Sequence, residues 1–162
     1  MSEISDLLER FRRGAELVAV SITGSAGSEW DFVPQPGQWT IRQIVAHLSD
    51  AEIAATMRLR QIIAEDNPRL EAWDQDAWAK NLDYAKRKPS QSLETFRRIR
   101  SENYELLKDL PEAAFARAGM HSERGPITLL QLLRGMAEHA ESHAAQLRAR
   151  RGEFKAAKAS AQ

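Results

Sequence analysis

The side chains with the greatest chemical potential in these 162 residues are four histidines, at positions 47, 121, 139 and 143. Two of them are spaced four apart. At about 100° per residue, His139 and His143 stand about 40° from each other on a helix, which lets both imidazoles reach one metal ion. His47 lies in a different apolar-periodic stretch, at the margin of its apolar face. Both margins can turn toward one interior, so His47, His139 and His143 are predicted to ligate a single divalent metal ion. Three imidazoles leave a position on the ion open, the pattern of a catalytic site. An incoming thiol or a water could occupy it. His121, in the loop stretch MHSERG, has nothing to place it beside the other three and reads as structural.

The HAESH pattern is not that of a zinc protease, because its acid does not directly follow the first histidine. Glu141 falls about 160° around the helix from His139, and Glu138 also points away, so both are expected to face solvent. Gln146 and Arg150 continue the flank of His139 and His143, and Arg58 shares a side of its helix with His47. These are candidates for orienting a ligand or binding an anionic substrate, although arginine stems also cover bundle surface with their charge in water. Glu52 and Asn103 fall inside apolar stripes, so each is either a structural hydrogen-bonding group or part of a pocket.

The elements that must position these residues are helical. Ile4, Leu7, Leu8, Phe11, Ala15, Val18 and Ile22 follow the i, i+3, i+4, i+7 template. Residues 23 to 38, with Pro34, Pro36 and Gly37, read as loop. Thr40 with Gln43, and Thr128 with Gln131, form two capping-box signatures, flanked by the staple pairs Trp39/Ile44 and Ile127/Leu132. These two helices carry the three candidate ligands. The first stops before Pro68 and the second near Gly152. A further amphipathic helix runs from Pro89 to Pro111, the WDQDAW stretch forms a short helix packing its tryptophans on the bundle, and residues 111 to 127 read as an irregular crossing. Alternating β-branched runs are lacking. The fold class is therefore all-α, a four-helix bundle with long connections, in one domain over residues 1–154 with a frayed tail at 155–162.

Composition limits the function. Lys plus Arg and Asp plus Glu each total 23, so no net field draws in nucleic acid, and none is expected as a partner. No apolar run is long enough to span a membrane and the amphipathic N-terminus is unlike a signal peptide, so a cytoplasmic protein without a membrane partner is expected. The sequence has no Cys. Any sulfur chemistry then needs a thiol brought by a co-substrate.

PGQWTIRQIVAHLSDAE (residues 36–52), HSERGPITLLQLL (121–133), HAESHAAQL (139–147) and DQDAW together resemble the DinB-like superfamily, and the likeness spans most of the chain. The resemblance implies an unusual four-helix bundle with a metal held by three histidines, which correspond to His47, His139 and His143. It also implies thiol chemistry, since members include bacillithiol S-transferases and mycothiol-dependent maleylpyruvate isomerase with a zinc or nickel-type centre. On this reading the chain is a metal-dependent thiol S-transferase acting on a small electrophile, with zinc, nickel or iron as cofactor. The alternatives are a metal-assisted hydrolase and a non-enzymatic metal- or ligand-binding bundle. The expected partners are a small-molecule substrate, a low-molecular-weight thiol, and a second copy of the chain in a homodimer. Arg58, Arg150, Asn103 and Gln146 are the candidate substrate-binding residues.

Overall fold

A computed structural model describes residues 2–161 of the chain. The first helix, α1 (Glu3–Ile22), starts where the Ser2 side chain accepts a hydrogen bond from the Ser5 amide, with Glu3 and Asp6 favourably placed in its first turn. It buries Leu7, Phe11, Gly14, Val18 and Ile22, the stripe its periodicity predicts. α2 (Ile41–Ala64) and α5 (Leu129–Ser160) both open with complete capping boxes, at Thr40/Gln43 and Thr128/Gln131. Between them lie a short helix α3 (Gln75–Asn81), capped by Asp74, and a long helix α4 (Pro89–Leu107) with Pro89 at its first position. The four long helices close a ring in which α1 touches α5 and α4, and α2 touches α4 and α5. One apolar cluster centres on Phe11, Leu59, Leu107 and Leu133, and a second on Val18, Ile44, Phe96 and Leu147.

The connections correct the sequence reading in three places. Residues 111–127 are ordered rather than irregular: a 3₁₀ turn (Glu112–Ala116) leads into strand β2 (Ala118–His121), which pairs antiparallel with β3 (Gly125–Thr128). A third strand, β1 (Arg69–Leu70), adds to β2 in parallel. Strands of two to four residues are too short to show alternation, so periodicity misses them. The loop before α2 also holds a 3₁₀ turn, Gly27–Asp31. Finally, α5 does not stop at Gly152 but runs through Ser160. A single glycine costs a helix only about 1 kcal/mol, the Ala- and Lys-rich sequence beyond it favours helix, and Phe154 docks edge-on against Phe32 at 5.4 Å between ring centroids.

One side chain joins all four long helices. Arg100 of α4, 1% exposed, forms a bidentate pair with Glu52 of α2 (3.1 and 2.7 Å), and donates to Phe11 O of α1 (3.3 Å) and Met136 O of α5 (3.0 Å). Its guanidinium lies between the rings of Phe11 and Phe96, 4.4 and 4.7 Å from their centroids. Gly14 makes room for it, since a Cβ there would sit 2.4 Å from Arg100 Nη1. Removing one member of such a pair leaves the other charge buried and unpaired. Arg100→Ala is therefore expected to lower the free energy of unfolding by about 3–5 kcal/mol, whereas the double replacement Arg100→Met/Glu52→Leu recovers much of that loss. Urea denaturation of the three proteins tests this; equal midpoints for Arg100→Ala and wild type would refute the role.

Candidate metal centre

His47 occupies the second turn of α2, which the Thr40 capping box and the burial of Ile41, Ile44, Val45 and Leu48 hold in fixed rotation. His139 and His143 occupy successive turns of α5, on the edge of the buried row Met136, Ala140, Ala144 and Leu147. The small residues Ala140 and Ala144 let the helix come close to its neighbours. The result is convergence. His47 Nε2 lies 3.0 Å from His139 Nε2, and His143 Nε2 lies 3.1 Å from His139 Nε2. Ligands at about 2.05 Å from one ion stand roughly 2.9 Å apart at right angles and about 3.3 Å apart in a tetrahedron, so these spacings match a shared cation. Among the described residues, these three histidines are the one group of three or more His, Cys, Asp or Glu side chains that could hold an ion.

The electrostatics suit that role. Burial pushes His139 down to about 3 and His47 down to about 4, with the neighbouring imidazoles adding to both shifts. His143 is also lowered by burial, partly offset by its bond to Gln146. All three are thus neutral near pH 7, with lone pairs free to ligate. His143 Nδ1 donates to Gln146 Oε1 at 2.7 Å, which places the ring proton on Nδ1 and directs the Nε2 lone pair into the cluster. Three neutral imidazoles whose Nε2 atoms meet at one point can turn all three lone pairs onto a positive centre between them. The donor set therefore fits a divalent metal. Two tryptophans enclose the cluster on the His47 side: Trp73 stacks at 5.9 Å and Trp39 tilts at 5.0 Å between ring centroids. Trp73 in turn packs on Trp78 of α3 at 4.6 Å.

His139 also lines a cavity of about 200 Å³, together with Glu52, Arg58, Trp73, Gln75 and Arg124. Of the residues singled out in the sequence, Arg58 reaches this cavity and Gln146 orients a histidine. Asn103 and Arg150 do neither. Asn103 is fully buried, accepting from Arg60 and donating to Thr56, and so acts as a structural amide between helices. Arg150 is held away from the cavity by Gln38 Oε1 (2.8 Å) and Glu153 (3.1 Å), where it fastens the loop before α2 to the last helix. Glu52 is both structural and cavity-lining. Glu141 does not simply face water: it forms a bidentate bond with Arg10 (2.9 and 2.7 Å) that joins α5 to α1. His121 is structural as expected, its Nδ1 accepting the Glu123 and Arg124 amides to close the β2–β3 turn. Arg124, Gln75 and Gln131 enter the site from the hairpin, from α3 and from the first turn of α5, positions that no helical stripe marks.

The sequence pattern of the DinB superfamily matches residues 7–147. The chain belongs to the DinB superfamily. It is 32% identical over 148 residues to an Oceanobacillus iheyensis protein, spanning 91% of this chain and 81% of that one, and 28% identical over 129 residues to YfiT of Bacillus subtilis, spanning 77% and 72%. Both relatives carry the provisional name metal-dependent hydrolase. The solved structure of YfiT, described as a probable metal-dependent hydrolase with an unusual four-helix bundle topology, superposes with a TM-score of 0.81 at 25% identity, covering 94% of this chain and 90% of YfiT. A mycothiol-dependent maleylpyruvate isomerase shares the fold alone, with a TM-score of 0.72 at 13% identity over 90% of this chain and 61% of that one. This DinB protein thus has the all-α bundle its sequence predicts, with a small sheet added.

Two outcomes follow from the centre. Imidazoles of the unfolded chain take up protons near 6.5, whereas those of the cluster resist until about 4 and 3. The unfolded state binds more protons in between, so stability of the metal-free protein is full above pH 6.5 and falls as the pH drops toward 4. Denaturation midpoints at pH 7.5 and pH 5, compared between wild type and His139→Ala, check this, with the variant showing the smaller difference. Separately, Gln146→Ala is expected to weaken divalent-metal affinity about 10- to 100-fold while leaving the fold intact. Competition with a chromogenic chelator measures it, and an unchanged affinity would remove Gln146 from the centre.

Proposed function

We propose that the chain is a metal-dependent enzyme in which His47, His139 and His143 hold one divalent ion and a thiol co-substrate attacks a small electrophile. The observation that carries this reading is the meeting of three Nε2 atoms beside a cavity that His139 lines and whose single carboxylate is already engaged. An imidazole set suits zinc, nickel and iron. When bound, such an ion supplies Lewis acidity, lowering the pKa of a thiol or water that reaches it.

The chain's own residues do the rest. Gln146 keeps His143 in the tautomer that presents Nε2, and Trp73 and Trp39 exclude water from the His47 side. Glu52, the one acid lining the cavity, is clamped by both nitrogens of the Arg100 fork and so is poorly placed to accept a proton. A thiol has less need of a general base than water, because its pKa is already near 8.5. Without a cysteine in the chain, the sulfur comes from the co-substrate. Its sulfur forms a bond to the electrophilic carbon, the leaving group departs with its electron pair, and the thiol proton goes to solvent.

Hydrolysis is the second reading, favoured by the names of the two relatives. The two are separated by assaying chelated and metal-restored protein with a chromogenic aryl halide plus a panel of cellular thiols, and with ester and amide substrates lacking thiol. Turnover needing both thiol and metal is expected, and His143→Ala should lose metal and activity together. Metal-dependent turnover without thiol would establish the hydrolase instead. Full thiol-dependent activity in the metal-free protein would overturn the role of the centre.

A further inference from the structure

Two arginines line the cavity without a carboxylate partner among the described residues. Arg58, half-buried on α2, spends one guanidinium nitrogen on the Glu71 carbonyl at 2.6 Å, a neutral acceptor. Arg124, on the exposed β2–β3 turn, makes no side-chain hydrogen bond or ion pair among the described residues. Most other arginines of the bundle are paired with an acid, as Arg10, Arg42, Arg100 and Arg151 illustrate. Both unpaired cations line the cavity that His139 also lines, and with Trp73 and Gln75 they line a second hollow of about 230 Å³ that extends outward to His121 and Glu123. Burial and then the charge of Arg124 depress the Arg58 guanidinium, so the two arginines feel each other. His121, lowered by burial and by these same two arginines, adds no negative charge, and Glu123, which lines only the outer hollow, partly offsets the effect of Arg124 on Arg58 but bonds to neither guanidinium. Glu52 is neutralised by Arg100. The shared wall is therefore cationic before any metal charge is added.

Like charges gathered in a concave, partly desolvated place are unfavourable unless an anion completes them. Arginine is the residue suited to this, because its planar fork donates two parallel hydrogen bonds to a carboxylate or phosphate. We propose that Arg58 and Arg124 form an anion-binding subsite, so that the small molecule taken by the metal centre carries a carboxylate or phosphate group whose capture there leaves its reactive end toward His139. The assignment of that molecule as a reactant rests on the function proposed above. The subsite itself stands on the two arginines. Its chemical consequence is selectivity: neutral analogues of the substrate bind without an anchor, and the anchored ones are oriented before reaction.

The test is isothermal titration of succinate and of inorganic phosphate into metal-loaded protein, repeated after chelation, with metal analysis of each sample. Wild type is expected to bind at least one of the two anions saturably, in both metal states. Arg58→Gln and Arg124→Gln should each weaken binding about tenfold or more, the loss of one charge-assisted partner, and the double variant should abolish it. Metal content should not change. Arg124→Gln alters an exposed turn and keeps the experiment decisive even if Arg58→Gln misfolds, and Arg124→Lys, which keeps charge but not the fork, should fall between. Tighter succinate identifies a carboxylate ligand, and tighter phosphate a phosphoryl one. Undiminished binding in the Arg124→Gln or double variant, or no saturable binding of either anion to wild type, overturns the subsite. Binding that vanishes on chelation yet survives the double substitution also overturns it, by placing the anion on the metal. Arginine-dependent binding in a protein that takes up no metal would remove the proposed catalysis and keep the subsite. Normal metal uptake with arginine-independent binding would do the reverse.

Discussion

The buried Arg100–Glu52 pair is the constraint on which the rest of the bundle depends. A guanidinium at 1% exposure is tolerable only if its donors are satisfied, and the partners that satisfy it come from α1, α2 and α5. Each of those helices must therefore present a particular residue at a particular height. Glu52 follows His47 by five positions on α2, and Met136 precedes His139 by three on α5. Satisfying Arg100 thus fixes the rotation and axial register of both histidine-bearing helices near the centre. An apolar core of similar volume would hold the helices together as firmly while setting their register less strictly.

The same pair shapes the chemistry beside it. A free carboxylate next to three neutral imidazoles would compete for a proton or for the metal, and would cancel the cationic wall made by Arg58 and Arg124. Arg100 removes that possibility by taking both oxygens of Glu52. Burial does complementary work on the imidazoles, holding His47 and His139 neutral well below physiological pH. The cavity consequently combines the His139 edge of the imidazole cluster, a positive wall and an aromatic wall from Trp73, with no unengaged acid on its lining among the described residues.

Much of the scaffold was legible because it rests on local physics. Capping boxes at Thr40 and Thr128 satisfy amides within three residues, and the apolar stripes of α1, α2 and α4 follow from a 3.6-residue period. The i, i+4 spacing of His139 and His143 is likewise a property of one helix. Arg100 shares the buried phase of Phe96, Asn103 and Leu107, yet the sequence reading did not single it out, because a lone charge in an apolar stripe names no partner. The hairpin of β2 and β3 left no periodic trace because its strands are four residues long.

By itself, then, the sequence determined the helices, their starts and which of their faces are apolar, and it put three histidines on inward margins. Only the tertiary structure decided which polar groups meet. Gln146 orients His143 through a contact within one helix, yet Asn103 and Arg150, equally plausible from their stripes, are drawn to Thr56 and Gln38 on other segments. Arg124 reaches the cavity only because a turn between two short strands folds back over α2 and α5. Periodicity reports the direction a side chain takes from its own axis, and the distance between side chains on different elements is set by how those axes pack.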